Sequence, residues 1–196
     1  MNAELLVAAA GMLILIIGIA LTVVRCVRKC PPNHAMIITG VGASTGGSSY
    51  KIIIGGNAFV LPLVQQMNLI NLSVHKTTAA LSTVYSKDSI PICASATLHF
   101  KIIPTPIGIV MAAPALLGKT DDEMAAVVEN IVERPFIAIL QRLTAKELKG
   151  SYSDLADEIM KDSRTDLEKI GVELVSCTIR SIDEVYDRRH SHGGPP

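Results

Sequence analysis

The sequence predicts an α+β fold in which an N-terminal transmembrane helix precedes a module built from an antiparallel sheet and amphipathic helices. Three observations predict it. Leu5 to Val24 is a run of 20 uncharged residues. Residues 34 to 102 then carry strand patterns, which give way to helical periodicity after Pro104 and Pro106. A last strand pattern, Val172 to Ile182, comes after the helices, which is the order of an α+β fold and not of alternating βαβ units.

The first element explains the composition. Mean hydropathy is +0.40 and 49% of the 196 residues are hydrophobic, yet there is no Trp and only 4% is aromatic, so a core alone does not set the average. Twelve of the 20 residues from Leu5 to Val24 are Leu, Ile or Val. As a helix they rise roughly 30 Å and contribute on the order of −4 to −7 kcal/mol toward insertion. A cleaved signal peptide would need a basic start and a shorter apolar stretch, whereas Glu4 precedes this run and Arg25, Arg28 and Lys29 come after it. Leu5, Leu13, Ile16, Ile19 and Val24 are therefore the expected membrane-anchor residues, and Gly18 and Thr22 are spaced as a small-xxx-small pair. The basic cluster on the C-terminal side places the residues after Val24 in the cytoplasm, giving a single-pass protein of the cell membrane, or of an endosomal membrane in a eukaryote. Arg25, Arg28 and Lys29 are positioned to meet anionic headgroups, and Cys26 and Cys30 to receive acyl chains at the bilayer boundary.

The expected organisation is an anchor over residues 1–29, one module over 30–184 and a disordered tail over 185–196. The 18 Lys and Arg balance 18 Asp and Glu, so no long-range field for nucleic acid exists and none is expected as a partner. The cysteines at 26, 30, 93 and 177 form no metal-ligand spacing, and no cofactor or metal is implied.

Within the module, His34 to Gly40 reads as a short strand, and residues 42–49, rich in Gly and Ser, as a flexible loop. Tyr50 to Ile54 resumes the strand, Gly55-Gly56-Asn57 reads as a turn, and Ala58 to Leu61 as a third short strand before Pro62. Leu72 to Tyr85 pairs across a turn at Lys87-Asp88 with the clearest strand of all, in which Ile90, Ile92, Ala94, Ala96, Leu98, Phe100 and Ile102 alternate with a mixed face. Met124, Val127, Val128, Ile131, Val132, Pro135 and Ile139 mark one stripe of an amphipathic helix from Asp121 to Leu143. Thr120 and Glu123 cap it, and Pro135 predicts a kink or break near Glu133 and Arg134. A second helix carries Leu155, Ile159, Leu167 and Ile170 and stops at Gly171.

No motif supports catalysis. Gly118-Lys119-Thr120 resembles the end of a phosphate loop, but Ala113 stands where the first glycine belongs, so Thr120 is expected only to cap a helix. His34, His75 and His99 are spread along strands as half-exposed residues, and His190 and His192 lie in the tail. No Ser or Cys sits in a nucleophile elbow.

The ordered residues do resemble a known family. Cys30-Pro31-Pro32-Asn33-His34-Ala35-Met36-Ile37-Ile38-Thr39-Gly40 is similar to the opening of the flotillins, members of the stomatin/prohibitin/flotillin (SPFH, or band 7) superfamily. The likeness continues through Gly55-Gly56-Asn57-Ala58-Phe59-Val60-Leu61-Pro62, Leu117-Gly118-Lys119-Thr120, Leu143-Thr144-Ala145-Lys146-Glu147-Leu148 and Gly171-Val172-Glu173-Leu174-Val175-Ser176-Cys177. The resemblance implies a non-enzymatic scaffold that binds membrane lipids, forms homo-oligomers, organises membrane microdomains (lipid rafts) and meets other membrane proteins. A stomatin- or prohibitin-like regulator of a membrane protease or channel is the alternative, and a nucleotide-binding enzyme the weakest reading. Flotillins usually continue into an Ala/Glu-rich coiled-coil stalk, which is not expected here. Glu133 to Ile139, with its proline, replaces a helical stretch that usually contains Gly and His.

Overall fold

The computed structural model describes residues 11–13, 15–18, 21, 25–40, 50–61, 64–148, 150 and 152–185. The loop expected over 42–49 and the tail beyond Val185, with His190 and His192, lie outside these residues. The chain divides into two compact units, Met1–Asn71 and Leu72–Pro196.

Unit 1 holds an antiparallel three-stranded sheet of β1 (Val27–Gly40), β2 (Tyr50–Phe59) and β3 (Gln65–Asn71), in the order β2-β1-β3. The expected turn at Gly55-Gly56-Asn57 is not there. β1 pairs with β2 from Thr39↔Tyr50 to Ala35↔Ile54, shifts register, and resumes from Cys30↔Gly56 to Val27↔Phe59. Pro31 and Pro32 have no N–H to give a ladder, so this part of β1 bulges out. Gly55 and Gly56, at φ +66° and +90°, let β2 follow the bulge and stay paired. The three short strands of the sequence reading thus become two long ones, and β3 is an additional strand, Gln65–Asn71, that the period of its residues does not announce. Cys30, Met36, Ile38, Ala58 and Val60 form the buried cluster, with Ile53 and Met67 packed on it.

Unit 2 holds β4 (His75–Tyr85), β5 (Pro91–Ile102) and β6 (Val172–Glu184), all antiparallel in the order β4-β5-β6. The alternation in β5 is realised: Ile92, Ala94, Ala96, Leu98, Phe100 and Ile102 are all buried. Among the described residues four helices complete it, α1 (Pro106–Leu116), α2 (Asp121–Arg142), α3 (Ala145–Leu148) and α4 (Tyr152–Lys169). α2 packs on β4 and α4, α4 on β6, and α1 on β5. α1 escapes the sequence reading because it is apolar all round and shows no stripe. Its start is nonetheless written locally: Thr105 is the N-cap, its hydroxyl accepting from the Gly108 amide at 3.1 Å, and Pro106 supplies the first turn. α2 runs through Pro135 without the break that the sequence allows near Glu133 and Arg134. The cost of roughly 3 kcal/mol for an interior proline is offset by Val132 on one side and Phe136, Ile139 and Leu140 on the other, all buried.

The capping box at α2 is present as expected. The Glu123 amide donates to the Thr120 hydroxyl at 3.3 Å, and the Thr120 amide donates to the Glu123 carboxylate at 2.8 Å. The same pair of bonds joins Thr144 and Glu147 at α3. The Thr120 and Thr144 backbone amides, then their hydroxyls, hold the Glu123 and Glu147 carboxyls below the ordinary value of 4.5. A carboxyl depressed by folding stabilises the fold above its unfolded value and ceases to do so as pH falls through its folded value. Stability is therefore expected to decline as pH drops below about 4.5, and Glu123→Gln in a pH series of thermal melts should show a smaller decline than the parent.

The transmembrane helix requires correction. No helix among the described residues is long and apolar enough to cross a membrane. α2 has 22 residues but carries Asp121, Asp122, Glu123, Glu129, Glu133, Arg134 and Arg142, and bilayer crossing demands an apolar run of roughly 20. Of the expected anchor residues, Leu13 and Ile16 are helical and exposed, while Leu5, Ile19 and Val24 lie outside the described residues, as does Thr22. The cytoplasmic assignment rests on charges flanking that span and loses its basis with it.

Candidate functional site

The surface that stands out in unit 1 is where β1 begins and β2 ends. Alternation along β2 buries Ala58 and Val60 in the core and turns Phe59 and Leu61 outward. Val27 is the cross-strand partner of Phe59; they are 47% and 56% exposed, which for a Val and a Phe side by side is an apolar patch open to water. The Val60 amide donates to the Cys26 carbonyl at 2.8 Å, which keeps the pairing going past the last register pair. Val64, also exposed, is tied back by its amide to the Leu61 carbonyl at 3.1 Å. Lys29, paired with Asn57, is next after Val27 on the same face by strand alternation.

Of the expected headgroup residues, Lys29 lies on the face of this patch and Arg25 just before it in the chain, whereas Arg28, paired with Ala58, alternates to the opposite face. Arg25, Arg28 and Lys29 are all exposed. With Lys51 they are the basic residues of positions 1–71, against Glu4 as the one acid there, so this unit is basic although the whole chain is neutral. The two cysteines behave differently from their neighbours. Cys26 and Cys30 are 3% and 5% exposed, and the Cys30 thiol lies 3.1 Å from the His34 carbonyl inside the core cluster. An acyl chain reaches neither sulfur unless this end of the sheet opens.

Unit 2 brings together polar groups that the sequence left scattered. On the face of β5 opposite the helices, Ser95 and Ser181 are 3.0 Å apart, His99 Nδ1 is 3.0 Å from the Ser176 hydroxyl, and Arg180 donates to Thr97 at 2.6 Å. His34 and His99 are half-buried as expected, but His75 is buried, stacked on Phe100 with ring centroids 5.5 Å apart and Nδ1 3.6 Å from Asp121. A cleft of about 560 Å³ is lined by Ile103, Leu167, Val172, Arg164, Glu168 and Glu173 among others. Two of its charges are spent on one another: Arg164 donates to Glu168 at 2.7 Å, which holds the guanidinium above its ordinary value. Burial, and then the Asp157 charge, push the Cys177 thiol up to about 11, so it is protonated and a poor nucleophile near neutral pH. Among the described residues no group of three or more His, Cys, Asp or Glu is placed to hold a metal ion. Thr120, the last residue of the phosphate-loop look-alike, spends its hydroxyl on the capping box.

Comparison with known proteins agrees with this fold. The SPFH domain / Band 7 family matches residues 28–189, which take in all six strands up to Glu184 except the first residue of β1. The flotillin-like protein FloT of Bacillus subtilis (strain 168) is 29% identical over 188 residues, covering 92% of this chain and 37% of FloT. Flotillin-1 of Homo sapiens is 29% identical over 165 residues, covering 84% of this chain and 38% of that protein. The chain thus spans less than two-fifths of the length of these curated relatives. With the match running through both units, the chain belongs to the SPFH domain / Band 7 family and is flotillin-like within it.

Proposed function

We propose that this chain is a flotillin-like scaffold module that rests on a membrane surface through unit 1 and associates there with further copies of itself. The observation that carries the reading is the exposed row Val27, Phe59 and Leu61, with Val64 at its end and Lys29 beside it. Each of these half-exposed apolar side chains contributes on the order of 1 kcal/mol when taken out of water. Arg25, Arg28 and Lys29 add roughly 1 kcal/mol apiece near a negatively charged leaflet. Apolar insertion and basic attraction together suffice for adhesion to anionic lipid. Copies held in one plane are concentrated, so weak contacts between them become effective. Membership of the family and the likeness to FloT and Flotillin-1 support a scaffold over an enzyme.

The chain has no Trp, so Phe59→Trp creates a single reporter at the patch. On vesicles of anionic lipid with brominated acyl chains, its emission is expected to shift to the blue and to be quenched. Tyr152→Trp, exposed on α4, should keep its emission. In about 1 M salt, where charges are screened beyond roughly 3 Å, the quenching at position 59 should weaken. An unchanged spectrum for Phe59→Trp on vesicles that carry the protein down in a spin would overturn the proposed contact.

A further inference from the structure

α1 is uncovered along a stripe where its composition calls for cover. From Ile102 to Gly118 the chain carries no charged residue, and between Pro106 and Leu116 no polar side chain. One stripe of the helix, Gly108, Ile109, Ala112 and Leu116, is buried. On the other, Ile107 is 70% and Met111 46% exposed, Pro114 is exposed and Val110 is half-buried. These four fall at i, i+3, i+4 and i+7, the spacing with which a helix face packs against another helix. A helix that is apolar all round is normally enclosed on every side.

A lipid surface and a second copy of the chain compete to cover it, and the charges nearby decide between them. Past the C-terminal end of α1 the exposed Asp121, Asp122 and Glu123 outnumber the exposed Lys119 that precedes them, so this end carries net negative charge and repels an anionic leaflet. Helices that lie in a lipid interface also carry a basic polar face, which α1 lacks. A second α1 laid antiparallel offers the same apolar stripe and an opposed helix dipole, the self-complementary arrangement that a two-fold contact requires. We infer that the Ile107–Met111 face of α1 is a contact between two copies of this chain, α1 against α1 about a two-fold axis.

The inference rests on the proposed self-association and gives it a surface. An 11-residue helix is roughly 16 Å long, so the pair buries far less than the roughly 1,200 Å² of a stable free dimer. The contact is accordingly one for copies already confined to a surface.

A photo-crosslinking p-benzoylphenylalanine in place of Met111 tests it, on anionic vesicles loaded at rising protein density, with the same group in place of Asp166 on α4 as the reference. Covalent dimer is expected from position 111 and not from 166. Ile107→Asp in the same chain should cut the dimer about tenfold, because it buries an unpaired carboxylate in the contact, while leaving the melting temperature and vesicle binding unchanged. Yields at 111 no higher than at 166, or adducts with lipid in place of protein, would overturn the inference. The mass of particles extracted in lipid nanodiscs separates the two claims: multimers with a silent position 111 refute the α1 contact alone, and monomers at every density refute self-association as well.

Discussion

Gly171→Ala is expected to lower the unfolding midpoint by about 6–12 °C, corresponding to about 3 kcal/mol for a chain of this size. Gly171 ends the α4–β6 connection at φ +66°, a backbone region that costs an L-residue on the order of 1 kcal/mol. The second cost is steric. A Cβ there would lie 2.1 Å from the Gly108 carbonyl oxygen and 2.8 Å from the Ala112 amide nitrogen, both on the buried side of α1. Neither is the end of a flexible side chain, so α1 itself must move away. The Gly171 carbonyl also accepts from the Ile103 amide at 2.9 Å, which ties the same turn to the segment that enters α1. Thermal melts followed by circular dichroism check the prediction, and a loss below about 1 kcal/mol, or 2–4 °C, would mean that α1 does not sit where the structure places it.

Phe100→Ala should cost more, about 3–5 kcal/mol. Phe100 is fully buried near the end of β5, the central strand of the β4-β5-β6 sheet, paired with His75 on one side and Leu174 on the other. Removing the ring leaves a cavity and takes away the stack that covers the His75 imidazole, whose Nε2 is buried without a hydrogen-bond partner. Water entering that cavity would recover part of the cost, which sets the lower end of the range. Against a total stability of about 5–15 kcal/mol, the loss is large enough to unfold a substantial fraction of molecules at 37 °C. Chemical denaturation should show the midpoint moving to much lower denaturant at a nearly constant slope.

Both positions belong to the part of the fold that the residues announce most clearly. The alternation from Ile90 to Ile102 marks β5, its buried face and its hairpin with β4, because one face of a strand packed under helices leaves a period of two. Thr120 and Glu123 mark the start of α2 in the same way, through chemistry that acts within four residues. What escapes is non-local. The turn read at Gly55-Gly56-Asn57 is a bulge because Pro31 and Pro32, more than 20 residues earlier, stand opposite it. β3 (Gln65–Asn71) is held by pairing with β1 and not by its own pattern. α1 has no stripe because both of its faces are apolar, although Thr105 and Pro106 are a legible start signal. The break expected at Pro135 leaves out of account the buried side chains on either side of it.

The candidate site is legible in its charges and not in its apolar part. Arg25, Arg28 and Lys29 are exposed, but the apolar partner surface is assembled across strands, from Val27 and from Phe59 some 30 residues later. The long apolar run before them points toward a crossing helix, for which the described residues offer none. Cys26 and Cys30, neighbours of exposed cations in sequence, alternate into the core in the fold.

Particle mass on a supported bilayer of anionic lipid, read by interferometric scattering as protein density on the surface rises, tests the scaffold account most directly. The account predicts landing on the bilayer and a shift from 20.9 kDa toward multiples of it as density grows. Single-chain mass at every density, or no landing on anionic lipid at all, would contradict it.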